Sequence, residues 1–162
     1  MARFTEPRYQ QLFDFQALGP EPFCMVANHR HPLGERRTIP VEELTEWPWV
    51  LYPVGTPIRQ RMERAFIEFG IGTPANTVET ISMPAFLQLL QSGPMIAMLP
   101  ESMVHSHIQS GLLRVLDTPF RVESQDYGIL TRKHEPLPTP VREFVDILVE
   151  CGQAREAEQS RR

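Results

Sequence analysis

The sequence predicts an α/β layer fold, and three observations carry the prediction. Between residues 48 and 100, short apolar or β-branched runs alternate with helical patterns. The junctions between them hold Thr, Ser and Pro, residues that cap and open helices. The first two helical patterns close on glycine, at Gly70 and Gly93. In such folds ligands gather where a strand hands over to a helix, because the first helical amides are unpaired and the dipole is positive there. Two junctions, Gly55-Thr56-Pro57 and Thr80-Ile81-Ser82, are therefore the candidate binding site.

The chain has 162 residues, enough for one domain or two small lobes with a real core. Its 41% hydrophobic and 22% charged residues are ordinary for a globular protein. A net charge of −4 argues against nucleic-acid binding by this chain alone, since phosphate contacts need clustered Lys and Arg. Arg36-Arg37 and Arg161-Arg162 are too short to reverse that balance. No apolar run approaches the ~20 residues that span a membrane, and MARFTEPRYQQ has no secretion signal. Cys24 and Cys151 lie far apart in sequence and read as reduced thiols of a cytoplasmic protein rather than a disulfide. Two isolated cysteines are weak grounds for a redox switch.

Residues 1–22 show no clean period and read as irregular. Phe23 to Ala27 is a short apolar run, a buried strand, and Asn28 to Gly34 is a turn. His29 and His31 lie two apart, but no second ligand cluster supports a metal. Val41 to Trp47 carries a short helix pattern after Pro40. Trp49 to Val54 is the next strand.

Thr56 then caps a helix with Pro57 at its first position. Ile58, Met62, Ala65, Phe66 and Phe69 fall on one face. Arg59, Arg61, Glu63, Arg64 and Glu68 take the other. Asn76 to Ile81 reads as a strand. Ser82 caps the following helix, with Pro84 in its first turn and Phe86, Leu87, Leu89 and Leu90 inward.

Met95 to Leu99 is an uninterrupted apolar run of the kind a two-sided central strand needs, its methionines serving as core. Glu101 to Gln109 reads as a short helix, with His105 and His107 on a solvated surface. Leu112 to Leu116 and Asp126 to Lys133 are strands. Thr139 caps a last helix whose stripe is Val141, Phe144, Val145 and Leu148. The charged tail from Gln153 is expected to fray or to be disordered.

No catalytic constellation with specificity is present. There is no Gly-x-Ser-x-Gly elbow, phosphate loop, His-Glu-x-x-His, Cys-x-x-Cys or dinucleotide glycine fingerprint. No enzyme activity, cofactor or metal is expected. Two capped helix starts suit a carboxylate or another small anion, with no fixed cation evident nearby. On spacing alone, capping is sufficient to explain Thr56, Thr80 and Ser82.

The motifs, in their order, resemble a known family. His31-Pro32-Leu33, Trp49 to Gly70, Glu79 to Gly93 and Met95-Ile96-Ala97-Met98-Leu99-Pro100-Glu101 look like the effector-binding domain of LysR-type transcriptional regulators. The likeness runs from about Phe23 to the last helix. The last motif departs from its usual glycine-x-glycine form, since Gly93-Pro94-Met95 precedes the apolar run. The wording of residues 49–101 is most similar to regulators of aromatic-acid or sugar-uptake genes.

The resemblance implies a periplasmic-binding-protein-like (type 2) fold, in which two α/β lobes clasp a small molecule and two crossing strands form the hinge. It implies that residues 26–124 are the complete second lobe and that 1–25 and 125–162 are the remnant of the first. The hinge would lie near Cys24–Ala27 and Val122–Gly128. Effector contacts would fall at Gly55, Thr56, Pro57 and Ile58, and at Thr80, Ile81 and Ser82. The partners implied are a small organic acid and a second subunit, paired through the Pro57–Phe69 helix. The family's N-terminal helix-turn-helix, linker helix and opening βαβα segment are missing, so a truncated form is expected and DNA would be reached only through the absent domain. Two rivals stand beside this reading: a stand-alone carrier of the same fold, and an enzyme on an α/β scaffold.

Overall fold

The computed structural model describes residues 9–159, with side chains over residues 11–154. The chain divides into two compact units, residues 22–123 and a second unit formed by residues up to 21 together with those from 124 onward.

In the larger unit a five-stranded sheet runs in the order β4-β3-β5-β2-β6. Its strands are β2 (Phe23–Asn28), β3 (Trp49–Leu51), β4 (Thr77–Glu79), β5 (Ile96–Pro100) and β6 (Leu113–Val115). β3 pairs parallel with β4 and with β5, whereas β2 runs antiparallel to β5 and β6. All five residues of β5 are buried, which its unbroken apolar run requires of a strand covered on both faces. The helices are α2 (Val41–Leu44), α3 (Pro57–Glu68), α4 (Met83–Ser92) and α5 (Glu101–Gln109). The parallel β3-α3-β4-α4-β5 run brings the C-terminal ends of β3, β4 and β5 to one edge, where α3, α4 and α5 begin.

Aromatic side chains hold the centre of this unit. The Trp49 ring meets Phe66 edge-on at 5.3 Å, and Phe66 stacks on Phe120 at 5.2 Å. The Trp49 indole N–H is satisfied by donating to the Leu44 carbonyl at 2.7 Å. A buried Phe of this kind is worth about 3–5 kcal/mol against Ala.

The smaller unit pairs β1 (Phe13–Glu21) antiparallel with β7 (Gln125–Arg132), preceded by a single turn, α1 (Tyr9–Leu12), and closed by α6 (Thr139–Gln159). Residues 9–21 were expected to be irregular and are not; the part of that expectation covering residues 1–8 lies outside the described residues. The register of β1 shifts between Ala17 and Gly19. Phe13 and Phe15 begin a period of two, and the bulge breaks it so that the adjacent residues Leu18 and Gly19 are the buried ones. Gly19 at φ +135° supplies the backbone freedom.

Other expectations need correction. The Trp49 strand ends at Leu51 rather than Val54, because the chain then turns at Pro53–Thr56. α6 does not fray at Gln153 but continues as helix to Gln159; residues 160–162 of that expectation lie outside the described residues. Its predicted apolar stripe is largely uncovered: Phe144 is 59% exposed and Val141 is exposed too. Phe144, Val145 and Leu148 line, with Ile129, Leu130 and Leu137, an apolar groove of about 500 Å³.

Candidate functional site

The first junction is built by a tight turn. The Thr56 N–H donates to the Pro53 carbonyl at 3.2 Å, and Gly55 sits at φ +88°, as the third residue of such a turn demands. The Thr56 hydroxyl donates to the same carbonyl at 2.8 Å and accepts the Arg59 N–H at 3.3 Å. It is thus a true N-cap for α3. At the second junction the Thr80 hydroxyl accepts the Ser82 N–H at 3.0 Å, and Ser82 accepts the Ala85 N–H at 3.4 Å to cap α4.

The two junctions are neighbours. Leu51 pairs with Glu79 across β3 and β4, and the Thr80 N–H donates to the Leu51 carbonyl at 3.0 Å. The Tyr52 ring lies 5.0 Å from Phe86 of α4, tying the end of β3 to the second helix. The structure therefore brings Gly55, Thr56, Pro57 and Ile58 beside Thr80, Ile81 and Ser82. Gly55, Pro57, Ile81 and Ser82 are exposed, and Thr56, Ile58 and Thr80 are half-buried. The caps and the two prolines consume most of the donors that helix starts ordinarily leave open. Among the described residues, the Ile58 and Met83 amides are those in the first turns left without a partner.

One feature escaped the sequence reading. Arg59 and Arg61, placed above on the face of α3 opposite its apolar stripe, are both buried. Arg61 lies with its guanidinium carbon 5.1 Å from the centre of the Phe23 ring. Arg59 lies within the candidate site itself, so a fixed cation is present after all. Its Nη1 donates to the Tyr52 carbonyl at 3.0 Å and to Glu79 Oε1 at 2.7 Å, and its Nε donates to Glu63 Oε1 at 2.9 Å. It thereby straps β3, α3 and β4 together. A period of 3.6 predicts which side a residue faces, but it cannot announce a carboxylate 20 residues away that satisfies a buried guanidinium. The signal available was Glu79 itself, a charge closing a strand that pairs beside β3.

Elsewhere the larger unit holds a small polar hollow of about 300 Å³ lined by Asn28, Arg30, His31, Gln91 and Ser92, among others. His31 is neutral there: Nδ1 accepts the Leu33 N–H at 3.2 Å and Nε2 donates to the Pro94 carbonyl at 3.2 Å. Burial pushes the Cys24 thiol up to about 12, with Glu101 adding to the effect, so this cysteine is chemically quiet. Among the described residues no group of three or more His, Cys, Asp or Glu could hold a metal ion, and no helix is long and apolar enough to cross a membrane.

A five-stranded sheet of this order, with capped helix starts gathered at one edge, is an α/β layer architecture with a ligand-binding class of edge. Residues 2–152 match the family described as the LysR substrate binding domain, and the chain belongs to that family. It is 25% identical over 131 residues to the HTH-type transcriptional regulator GbpR of Azospirillum brasilense, covering 80% of this chain and 38% of that protein. The chain thus spans less than half the length of that curated relative.

Among solved structures it superposes on the regulatory domain of CcmR from Synechocystis PCC6803 in complex with 2-PG, at a TM-score of 0.74 and 19% identity, over 86% of this chain and 67% of that one. It superposes likewise on the effector binding domain of QuiR in complex with shikimate, at a TM-score of 0.68 and 17% identity, over 94% and 70%. The fold is the periplasmic-binding-protein-like (type 2) fold of LysR regulatory domains.

Proposed function

We propose that this chain is the sensing part of a LysR-type transcriptional regulator and that its effector is a small carboxylate held at Gly55–Ile58 and Thr80–Ser82. The observation that carries the reading is the juxtaposition of two capped helix starts at one sheet edge, linked by the Thr80 N–H to Leu51 carbonyl bond. Two further facts support it: the family membership, and the presence of 2-PG and shikimate in complexes of proteins that share the fold.

In this reading residues 26–124 form the second effector lobe, and residues 1–25 and 125–162 belong to the first. The effector favours one arrangement of a longer regulator, and that bias reaches a DNA-binding domain outside this chain. α3 is the candidate surface for pairing with a second copy, and the protein acts in the cytoplasm. A stand-alone carrier of the same fold would bind the same class of ligand without regulatory output, and a DNA-binding segment in the same gene would exclude it.

The test is thermal melting of the chain against aromatic and aliphatic carboxylic acids, repeated with Thr56→Ala. Ligand at ~100 times its dissociation constant adds roughly 2.7 kcal/mol to stability. Loss of the cap alone lowers stability by about 1 kcal/mol. The reading expects a ligand-dependent rise in Tm that shrinks in Thr56→Ala beyond that baseline. A rise of equal size in both proteins, or none in either, contradicts it.

A further inference from the structure

We propose that Arg59 is the anchor for the effector's carboxylate, presenting two unused N–H donors on Nη2, with Glu79 and Glu63 as positioning residues that hold the guanidinium in place. This rests on the reading above and names the residue through which it works.

A guanidinium carries five N–H donors. Nε spends its one on Glu63, and Nη1 spends its two on the Tyr52 carbonyl and Glu79. Both donors of Nη2 make no hydrogen bond among the described residues, although the side chain as a whole is only 6% exposed. Nη2 is not among the fully buried atoms that lack a partner, so it reaches solvent.

A guanidinium fixed on three sides, buried along its stem and open at one nitrogen, is pre-organised for an incoming carboxylate. Lysine is no substitute, because a single ammonium cannot satisfy Tyr52, Glu63 and Glu79 in the same plane and still offer a pair of donors. The two glutamates outnumber the one arginine, so the site also carries a repulsive component toward anions. Glu79, 38% exposed at its side chain, supplies part of it. Removing that charge while keeping a hydrogen-bond acceptor should improve carboxylate binding.

The experiment is calorimetric titration of this chain with benzoate and shikimate as probes and methyl benzoate as the uncharged control, on wild type, Arg59→Lys and Glu79→Gln. The expected result is a loss of at least about tenfold in carboxylate affinity in Arg59→Lys. Affinity for the ester should not change, and Glu79→Gln should bind the carboxylate more tightly. Should Arg59→Lys lower Tm while leaving carboxylate affinity within about twofold, Arg59 is a structural strap and the proposal falls, with the sensing role intact. Should Arg59→Lys fail to fold, Glu79→Gln still decides: unchanged or weaker carboxylate binding overturns the anchor. Silence of both acids on wild type and on Glu79→Gln overturns the anchor and the carboxylate reading together.

Discussion

His31 shows how one side chain ties local geometry to solution behaviour. It is 3% exposed, lies tilted by 59° against Trp47 with ring centres 4.4 Å apart, and caps the 3-10 turn of Pro32–Glu35 through Nδ1. Burial lowers its pKa below the usual 6.5, and the bond to the Pro94 carbonyl opposes that shift only in part. The unfolded chain therefore takes up a proton that the folded chain resists. Its contribution is fully present above about pH 6.5 and is lost as the pH falls through the lowered value. Urea midpoints measured from about pH 7.5 down to 5 should decline in the wild type and decline less steeply in His31→Phe, which keeps a ring against Trp47. Parallel curves for the two proteins would show that His31 titrates alike in both states. At this scale the sequence was least legible. His29 and His31 look alike on paper, and only the fold separates a buried cap from an exposed turn residue. Arg59 was placed opposite the apolar stripe, and only the fold shows that this part of the helix is buried too.

Among elements, α3 was the most legible, because its signals are local. Thr56, Pro57 and Gly70 punctuate it, and Met62, Ala65 and Phe66 recur at helical spacing and are buried. β1 was illegible because its pattern breaks at the bulge, and because its partner β7 lies more than 100 residues away, so nothing nearby announces the pairing. α6 teaches a third lesson. Its apolar period was readable, but a stripe says that a face wants cover and not that the chain provides it. With Phe144 and Ile147 both more than half exposed, this face should bind an environment-sensitive apolar dye. Phe144→Lys should cut that fluorescence markedly while leaving the melting temperature within about 2 °C, since little buried area is lost. Dye binding that is unchanged in Phe144→Lys would locate the apolar surface elsewhere.

For the whole molecule, the strand order decides what the chain can do. Parallel β4-β3-β5 pairing places three strand ends, three helix starts and the Arg59 strap on one edge. β2 and β6 close the sheet on its other side in antiparallel register. The alternation of strands and helices made the α/β class legible from Pro48 to Pro100, and the capping residues marked where the junctions fall. That the Thr56 and Thr80 junctions belong together was read from the alternation; the bonds that tie them, across β3 and β4 and through Arg59 to Glu79, were not legible, because they follow from pairing across the sheet. In the proposed function a small carboxylate binds where β3 and β4 hand over to α3 and α4. The most direct test of that binding is an amide-resolved NMR titration of this chain with benzoate. Saturable shifts should concentrate at Ile58, Met83 and the Arg59 side chain, with the groove of α6 and β7 unmoved. Saturable shifts that spare Ile58, Met83 and Arg59, or no saturable shift at all, would contradict it.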